Sequence, residues 1–230
     1  MTRVKICGIM NRQDLNLCVK AGVHTLGFVV DYPEWVPWNL SPAQARQLIA
    51  AVPPMVCSCV VTGGSAEKII AVAQAARPDI IQLHHRETLD ETAKIAVRLR
   101  RQGIKTIKAL RIDEEGRCAF EIPDPATAAQ ALHSAGIAAL LVDSYTSTLA
   151  GGTGVKVDLK TFSAIDRVSR LPLILAGGLN PDNIRAIVEN VNPYAVDVLT
   201  GVEDHPGRKN PEKVNRFINN LRPLGHNIQY

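Results

Sequence analysis

The sequence predicts an α/β protein built as a single (β/α)8 barrel, the TIM-barrel class. Short apolar, β-branched runs alternate with longer stretches of helical period from one end of the chain to the other. Eight such pairs occur, which is the number that closes a barrel. The length of 230 residues suits one barrel domain over 1–230.

The predicted strands are VKIC at 4–7, TLGFVV at 25–30, MVCSCV at 55–60, IIQL at 80–83, TIKAL at 106–110, AALLV at 138–142, LILA at 173–176 and AVDVL at 195–199. Their near-continuous apolar character fits parallel strands covered on the outer face by helices. The predicted helices follow in turn at 12–21, 42–51, 66–75, 89–101, 125–134, 159–169, 181–191 and 211–221. Ser41 before Pro42 and Asn180 before Pro181 each place a capping side chain ahead of a proline suited to the first helical turn. A doubly wound open sheet is the alternative architecture. Against it, no GxGxxG opens the first helix and no acidic residue is placed for a ribose.

Composition excludes several classes. With 46% hydrophobic and 21% charged residues the chain reads as an ordinary globular enzyme, not a disordered or disulfide-stapled one. The net charge of +4 is spread along the chain among Asp and Glu, so no nucleic-acid partner is expected. The five cysteines, Cys7, Cys18, Cys57, Cys59 and Cys118, form no CxxC pair and have no histidine at zinc-finger spacing. A reducing cytoplasm is the expected location. No signal-peptide pattern opens the chain and no apolar run is long enough for a membrane span, so no membrane partner is expected.

Chemistry in such a barrel comes from strand ends and the loops that follow them. Cys7 ends the first strand on the same face as Lys5, whose ammonium is expected to favour the thiolate; the other reading is a small buried hydrophobe. Asp143 is the first polar residue after the sixth strand, either a general acid with a burial-raised pKa or a capping aspartate. Gly151, Gly152, Gly154, Gly177, Gly178, Thr200 and Gly201 recur after the last three strands, as an oxyanion cradle or as tight turns. His84, beside Gln82 and His85, is a ligand or hydrogen-bonding group, and the spacing offers no metal site. Asp197 within the eighth strand either meets a cation or contacts substrate. Trp35 and Trp38 lie in the loop after the second strand, as a lid, a wall or an exposed contact surface.

The pieces VKICGI at 4–9, GFVV at 27–30, LSPAQA at 40–45, IIQLH at 80–84, LLVDS at 140–144, GGTG at 151–154, AGGLNPDNI at 176–184 and AVDVLTGVED at 195–204 resemble the phosphoribosylanthranilate isomerase family, in family order. The resemblance implies a cofactor-free Amadori rearrangement of a phosphoribosyl amine. It implies Cys7 as general base, Asp143 as general acid and the glycine loops as the phosphate site. It also marks differences: Trp38 stands where the family usually carries a carboxylate-binding arginine, VKVD at 155–158 replaces KTFD, and Leu199 and Thr200 replace a serine pair. Arg111 is one candidate to replace the missing arginine. The alternatives are the same chemistry on another phosphoribosyl amine, with Trp35 or Trp38 stacking on it, or a silent barrel that binds a sugar phosphate or a protein. An aldolase or epimerase using Lys108 ranks below the acid/base reading. A monomer or a homodimer is expected.

Overall fold

A computed structural model describes residues 1–144 and 159–221. Eight parallel strands form a closed barrel in sequence order: β1 (Arg3–Ile6), β2 (Thr25–Val29), β3 (Cys57–Thr62), β4 (Ile80–Leu83), β5 (Lys105–Ile112), β6 (Ala139–Ser144), β7 (Leu173–Leu175) and β8 (Ala195–Val198). The last strand pairs with the first, Lys5 opposite Asp197, which closes the ring. Around it lie α1 (Arg12–Ala21), α2 (Pro42–Ile49), α3 (Ala66–Ala76), α4 (Leu89–Arg100), α5 (Pro125–Ala131), α6 (Leu159–Val168), α7 (Ile184–Val191) and α8 (Pro211–Asn220). None of the described helices is long and apolar enough to cross a membrane.

Two cores hold these layers together. The larger fills the space between barrel and helices, with Ile6, Leu26, Phe28, Ile81, Leu110, Leu140 and Phe217 among its buried members. A smaller core fills part of the barrel interior with Ile107, Ala109, Ala139, Leu141, Ile174, Ala176 and Ala195. Polar residues are buried in the interior as well: Lys5 of β1, Gln82 of β4 and Asp197 of β8. Charge inside a barrel is costly unless paired, and Lys5 forms an ion pair with Asp197.

The helix starts lie on the strand-end side of the barrel, so their caps stiffen the loops that carry the site. Asn11, Ser41, Ser65, Thr88, Asp124 and Asn210 each accept a hydrogen bond from a backbone N–H of the first turn. Ser41 with Gln44 and Thr88 with Glu91 complete reciprocal capping boxes.

Most boundaries shift by one or two residues from the sequence expectation, and four of the differences have a visible cause. The third strand begins at Cys57 instead of 55, because Met55 adopts a left-handed φ of 72° and is 98% exposed. The fifth strand runs on to Ile112, because Arg111 and Ile112 stay in register with Asp143 and Ser144 of β6, which itself runs past the expected end at 142. The fifth helix tightens into a 3-10 turn over Leu132–Ala135 before Gly136. Asn180 caps a turn instead of the seventh helix: its Oδ1 accepts from the N–H groups of Asp182 and Asn183 at 2.9 and 3.1 Å, and α7 starts only at Ile184. A small hairpin unforeseen from the sequence, β9 (Glu203–His205) with β10 (Arg208–Lys209), lies between β8 and α8.

Candidate active site

Strand alternation sends every second side chain into the barrel. On β5 the inward series is Ile107, Ala109 and Arg111; on β6 it is Ala139, Leu141 and Asp143. The top members of these series surround one pocket at the C-terminal ends of the strands: Cys7, Val29, Val61, His84, Arg111, Asp143, Ala176 and Leu199. Trp38, Gly177, Gly178, Asp197, Thr200 and Gly201 also line it. The expected site residues within the described part of the chain therefore converge on a single cavity. Gly152 and Gly154, with Gly151, lie outside the described residues.

Asp143 is the pocket's acid. Its side chain is 15% exposed. Burial pushes its pKa up to about 7, helped by the negative charge of Asp197 and opposed by Arg111 and Lys5. His84 faces it, with Nε2 3.5 Å from Oδ2. Burial, with the positive charge of Arg111 and Lys5, lowers the His84 pKa to about 3, so the imidazole is neutral. The Gln82 amide nitrogen lies 3.1 Å from His84 Nδ1 and donates to it, which leaves the ring proton on Nε2, directed at Asp143.

Cys7 is buried beside Gly27. A Cβ at Gly27 would lie 2.7 Å from the Cys7 sulfur and 2.9 Å from its Cα, so only glycine on β2 leaves room for the thiol. Burial raises the Cys7 pKa above the usual 9.0, and the attraction of Lys5 and Lys209 does not offset it. This corrects the expectation that Lys5 makes Cys7 a ready thiolate. The Lys5 ammonium is paired with Asp197, which divides its influence. Asp197 meets a cation: one oxygen pairs with Lys5, and the other is buried with no hydrogen-bond partner among the described residues, in a residue that lines the pocket.

The two tryptophans of the loop after β2 part company. The loop is pinched at its base, where Asp31 N–H donates to Leu40 and Leu40 N–H to Val29. Trp35 is 88% exposed, in keeping with a contact surface. Trp38 is 6% exposed, so it is a pocket wall and not part of that surface. Its Nε1 donates to both carboxylate oxygens of Glu203, at 3.1 and 3.2 Å. Lys209 in turn donates to Glu203 at 2.8 Å and to the Leu199 carbonyl at 3.3 Å, so the β9–β10 hairpin anchors the wall.

The loops after β7 and β8 touch. A Cβ at Gly201 would overlap the carbonyl oxygen of Leu179. Thr200–Val202 forms a short 3-10 turn directly after β8. Loops after the seventh and eighth strands, with a short extra helix, are where such barrels commonly hold a phosphate.

The sequence profile described as N-(5′-phosphoribosyl)anthranilate (PRA) isomerase matches residues 4–220. The chain belongs to the phosphoribosylanthranilate isomerase family. An N-(5′-phosphoribosyl)anthranilate isomerase of Natronomonas pharaonis is 37% identical over 95% of this chain and 97% of its own. The crystal structure of the Thermotoga maritima phosphoribosylanthranilate isomerase superposes with a TM-score of 0.79 at 33% identity, covering 96% of this chain and 98% of that one. A phosphoribosylanthranilate isomerase in complex with reduced 1-(o-carboxyphenylamino)-1-deoxyribulose 5-phosphate matches with a TM-score of 0.76 at 32% identity, over 96% of this chain and 98% of that one.

Within this family frame, sequence reasoning overlooked Gly27, Tyr32, Glu203 and Lys209. The GFVV piece contains Gly27, but nothing local says that its missing side chain serves Cys7. Tyr32 is held by its hydroxyl donating to the His84 carbonyl at 2.9 Å, a contact across 52 residues. Lys108 is not in the pocket. It faces the helix layer and donates to Glu87 at 2.6 Å, with both side chains essentially inaccessible. That removes it as a Schiff-base nucleophile.

Proposed function

We propose that this chain is an enzyme that isomerises N-(5′-phosphoribosyl)anthranilate to 1-(o-carboxyphenylamino)-1-deoxyribulose 5-phosphate. The observation that carries the reading is a buried thiol and a proton-holding carboxyl, Cys7 and Asp143, on one cavity in a chain of this family. Asp143 gives its proton to the furanose ring oxygen as the C1–O bond breaks, and the nitrogen lone pair forms the C1 iminium. The neutral His84 N–H faces the carboxylate left behind. The Cys7 thiolate then removes the proton from C2. The C2–H electron pair becomes the C1–C2 double bond of an enolamine, and the iminium π electrons return to nitrogen. Loss of the O2 proton and protonation at C1 give the aminoketone. The iminium is the electron sink, so the route calls on no cofactor.

The amides of Gly177, Gly178, Thr200 and Gly201 hold the phosphate, and the unpartnered oxygen of Asp197 takes a sugar hydroxyl. The apolar wall of Val29, Tyr32, Trp38 and Val61 takes the aryl ring. The same reading treats 1–230 as one catalytic domain in the cytoplasm, working as a monomer or homodimer. A silent sugar-phosphate-binding barrel has no use for both members of the acid/base pair.

The test is the fluorescence decay of freshly made phosphoribosylanthranilate with wild type, Cys7→Ala and Asp143→Asn. Wild-type turnover that falls by at least about 100-fold in each variant is expected, the usual scale of a general acid or base. No turnover by a folded wild type would move the reading to another phosphoribosyl amine or to binding alone.

A further inference from the structure

We propose that Arg111 binds the carboxylate of the substrate's aryl group, making the top of β5 the determinant that selects an acidic arylamine. The inference rests on the isomerase reading above and extends it to a residue with no role in the proton transfers.

The substrate has two anionic ends, a phosphate and a benzoate. The phosphate end has its cradle in the loops after β7 and β8. The rest of the pocket is walled by Val29, Tyr32, Trp38 and Val61, and a carboxylate placed against such a surface is costly unless a cation meets it. Among the described lining residues Arg111 is the one with a fixed positive charge. His84 takes a hydrogen bond at Nδ1 from Gln82 and is neutral. Lys5 is buried against Asp197 and does not line the pocket.

The tryptophan wall offers no substitute. Its indole N–H is spent on Glu203, and a carboxylate drawn to it would meet that second carboxylate directly behind. A guanidinium, by contrast, presents paired N–H groups at the spacing of two carboxylate oxygens.

Position supports the assignment. Arg111 and Asp143 are cross-strand partners on β5 and β6, both on the inward face. In anthranilate the carboxylate is ortho to the amine, so a carboxylate on Arg111 sets the N–C1 bond beside the acid that opens the ring. The same contact has an electrostatic consequence. Arg111 lowers the Asp143 pKa in the empty pocket, and a bound carboxylate offsets that, keeping Asp143 protonated when its proton is needed.

The experiment compares two substrates that differ only in this group, phosphoribosylanthranilate and the N-phosphoribosyl derivative of aniline, in wild type, Arg111→Met and Arg111→Lys. The readout is the ratio of kcat/KM with and without the carboxylate. A wild-type ratio of about 10 to 100 is expected, the range of a charge-assisted hydrogen-bonded contact. It should fall to within about threefold of unity in Arg111→Met and lie between in Arg111→Lys. A wild-type ratio near one, or a ratio unchanged in Arg111→Met, overturns the proposal. So does an equal loss on both substrates accompanied by a shifted pH profile, which would make Arg111 a tuner of Asp143. Calorimetric binding of reduced 1-(o-carboxyphenylamino)-1-deoxyribulose 5-phosphate and its decarboxylated counterpart gives the same ratio without turnover. If wild type turns over neither substrate yet the binding ratio collapses in Arg111→Met, the isomerase reading fails and the carboxylate site stands.

Discussion

The acid and base of this pocket are tuned opposite to their tasks. Asp143, which must donate a proton, has a pKa of about 7, while burial pushes the thiol of Cys7, which must accept one, up from its usual range. The reactive form, with Asp143 protonated and Cys7 a thiolate, is therefore the minor member of the singly protonated pair. Both singly protonated forms share the same pH window. The profile of kcat/KM is expected to be bell-shaped, rising as pH passes about 7 and falling at higher pH once Cys7 has also lost its proton. Loss of the acidic limb in Asp143→Asn would tie that limb to Asp143; a wild-type profile flat from pH 6 to 9 would sink the assignment.

At the scale of elements, the loops after β3 and β4 are tied to β5 by one buried ion pair. Glu87 accepts from Lys108 at 2.6 Å and from the N–H groups of Gly64 and His85 at 3.3 Å, and Lys108 also donates to the His85 carbonyl. Burial lowers the Lys108 pKa, opposed chiefly by the attraction of Glu87 and its hydrogen bond. Lys108→Met leaves the Glu87 carboxylate buried and unpaired and is expected to destabilise the fold by about 3–5 kcal/mol. The double variant Lys108→Met with Glu87→Leu is expected to recover most of that loss in urea unfolding, because no lone charge remains. A double variant as unstable as the single would assign the cost to packing instead.

The elements were largely legible beforehand, because each strand and helix is written in local periodicity. All eight strands and eight helices lie where the pattern put them. The errors fall at ends, where φ at Met55, the pairing of Ile112 with Ser144 and the Asn180 turn override it. The β9–β10 hairpin escaped notice because β9 and β10 are three and two residues long, too short to establish a period. Cys7, Asp143 and the glycines after β7 and β8 were legible as strand-end residues with unusual side chains. Gly27 and Glu203 were not, since each matters through a neighbour remote in sequence, Cys7 or Trp38.

At the scale of the whole molecule, the site costs stability. The folded protein holds the Asp143 proton up to about pH 7, whereas a free aspartate releases it near 3.8. The folded state thus binds more protons between these values, and stability falls as pH rises through that window. Asp143→Asn removes the penalty. It is expected to be more stable than wild type by about 2–3 kcal/mol at pH 8, with the gap closing by pH 4. Denaturant titrations at the two pH values check this, and an equal gap at both would show that burial of the carboxyl is not the cause. Such a trade is common where a residue is held in an unfavourable state for chemistry.

By itself the sequence determined the barrel, since hydrophobic period and the number of βα units are local properties that add along the chain. It also determined which strand ends carry reactive groups, because alternation assigns faces without reference to the rest of the molecule. Only the tertiary structure decided the electrostatics. The pairing of Lys5 with Asp197, the neutrality of His84, the raised pKa of Asp143 and the turning of Lys108 away from the pocket depend on burial and on charges brought close across the closed ring. Those quantities arise from distance and exclusion of water, and neither exists until β8 meets β1.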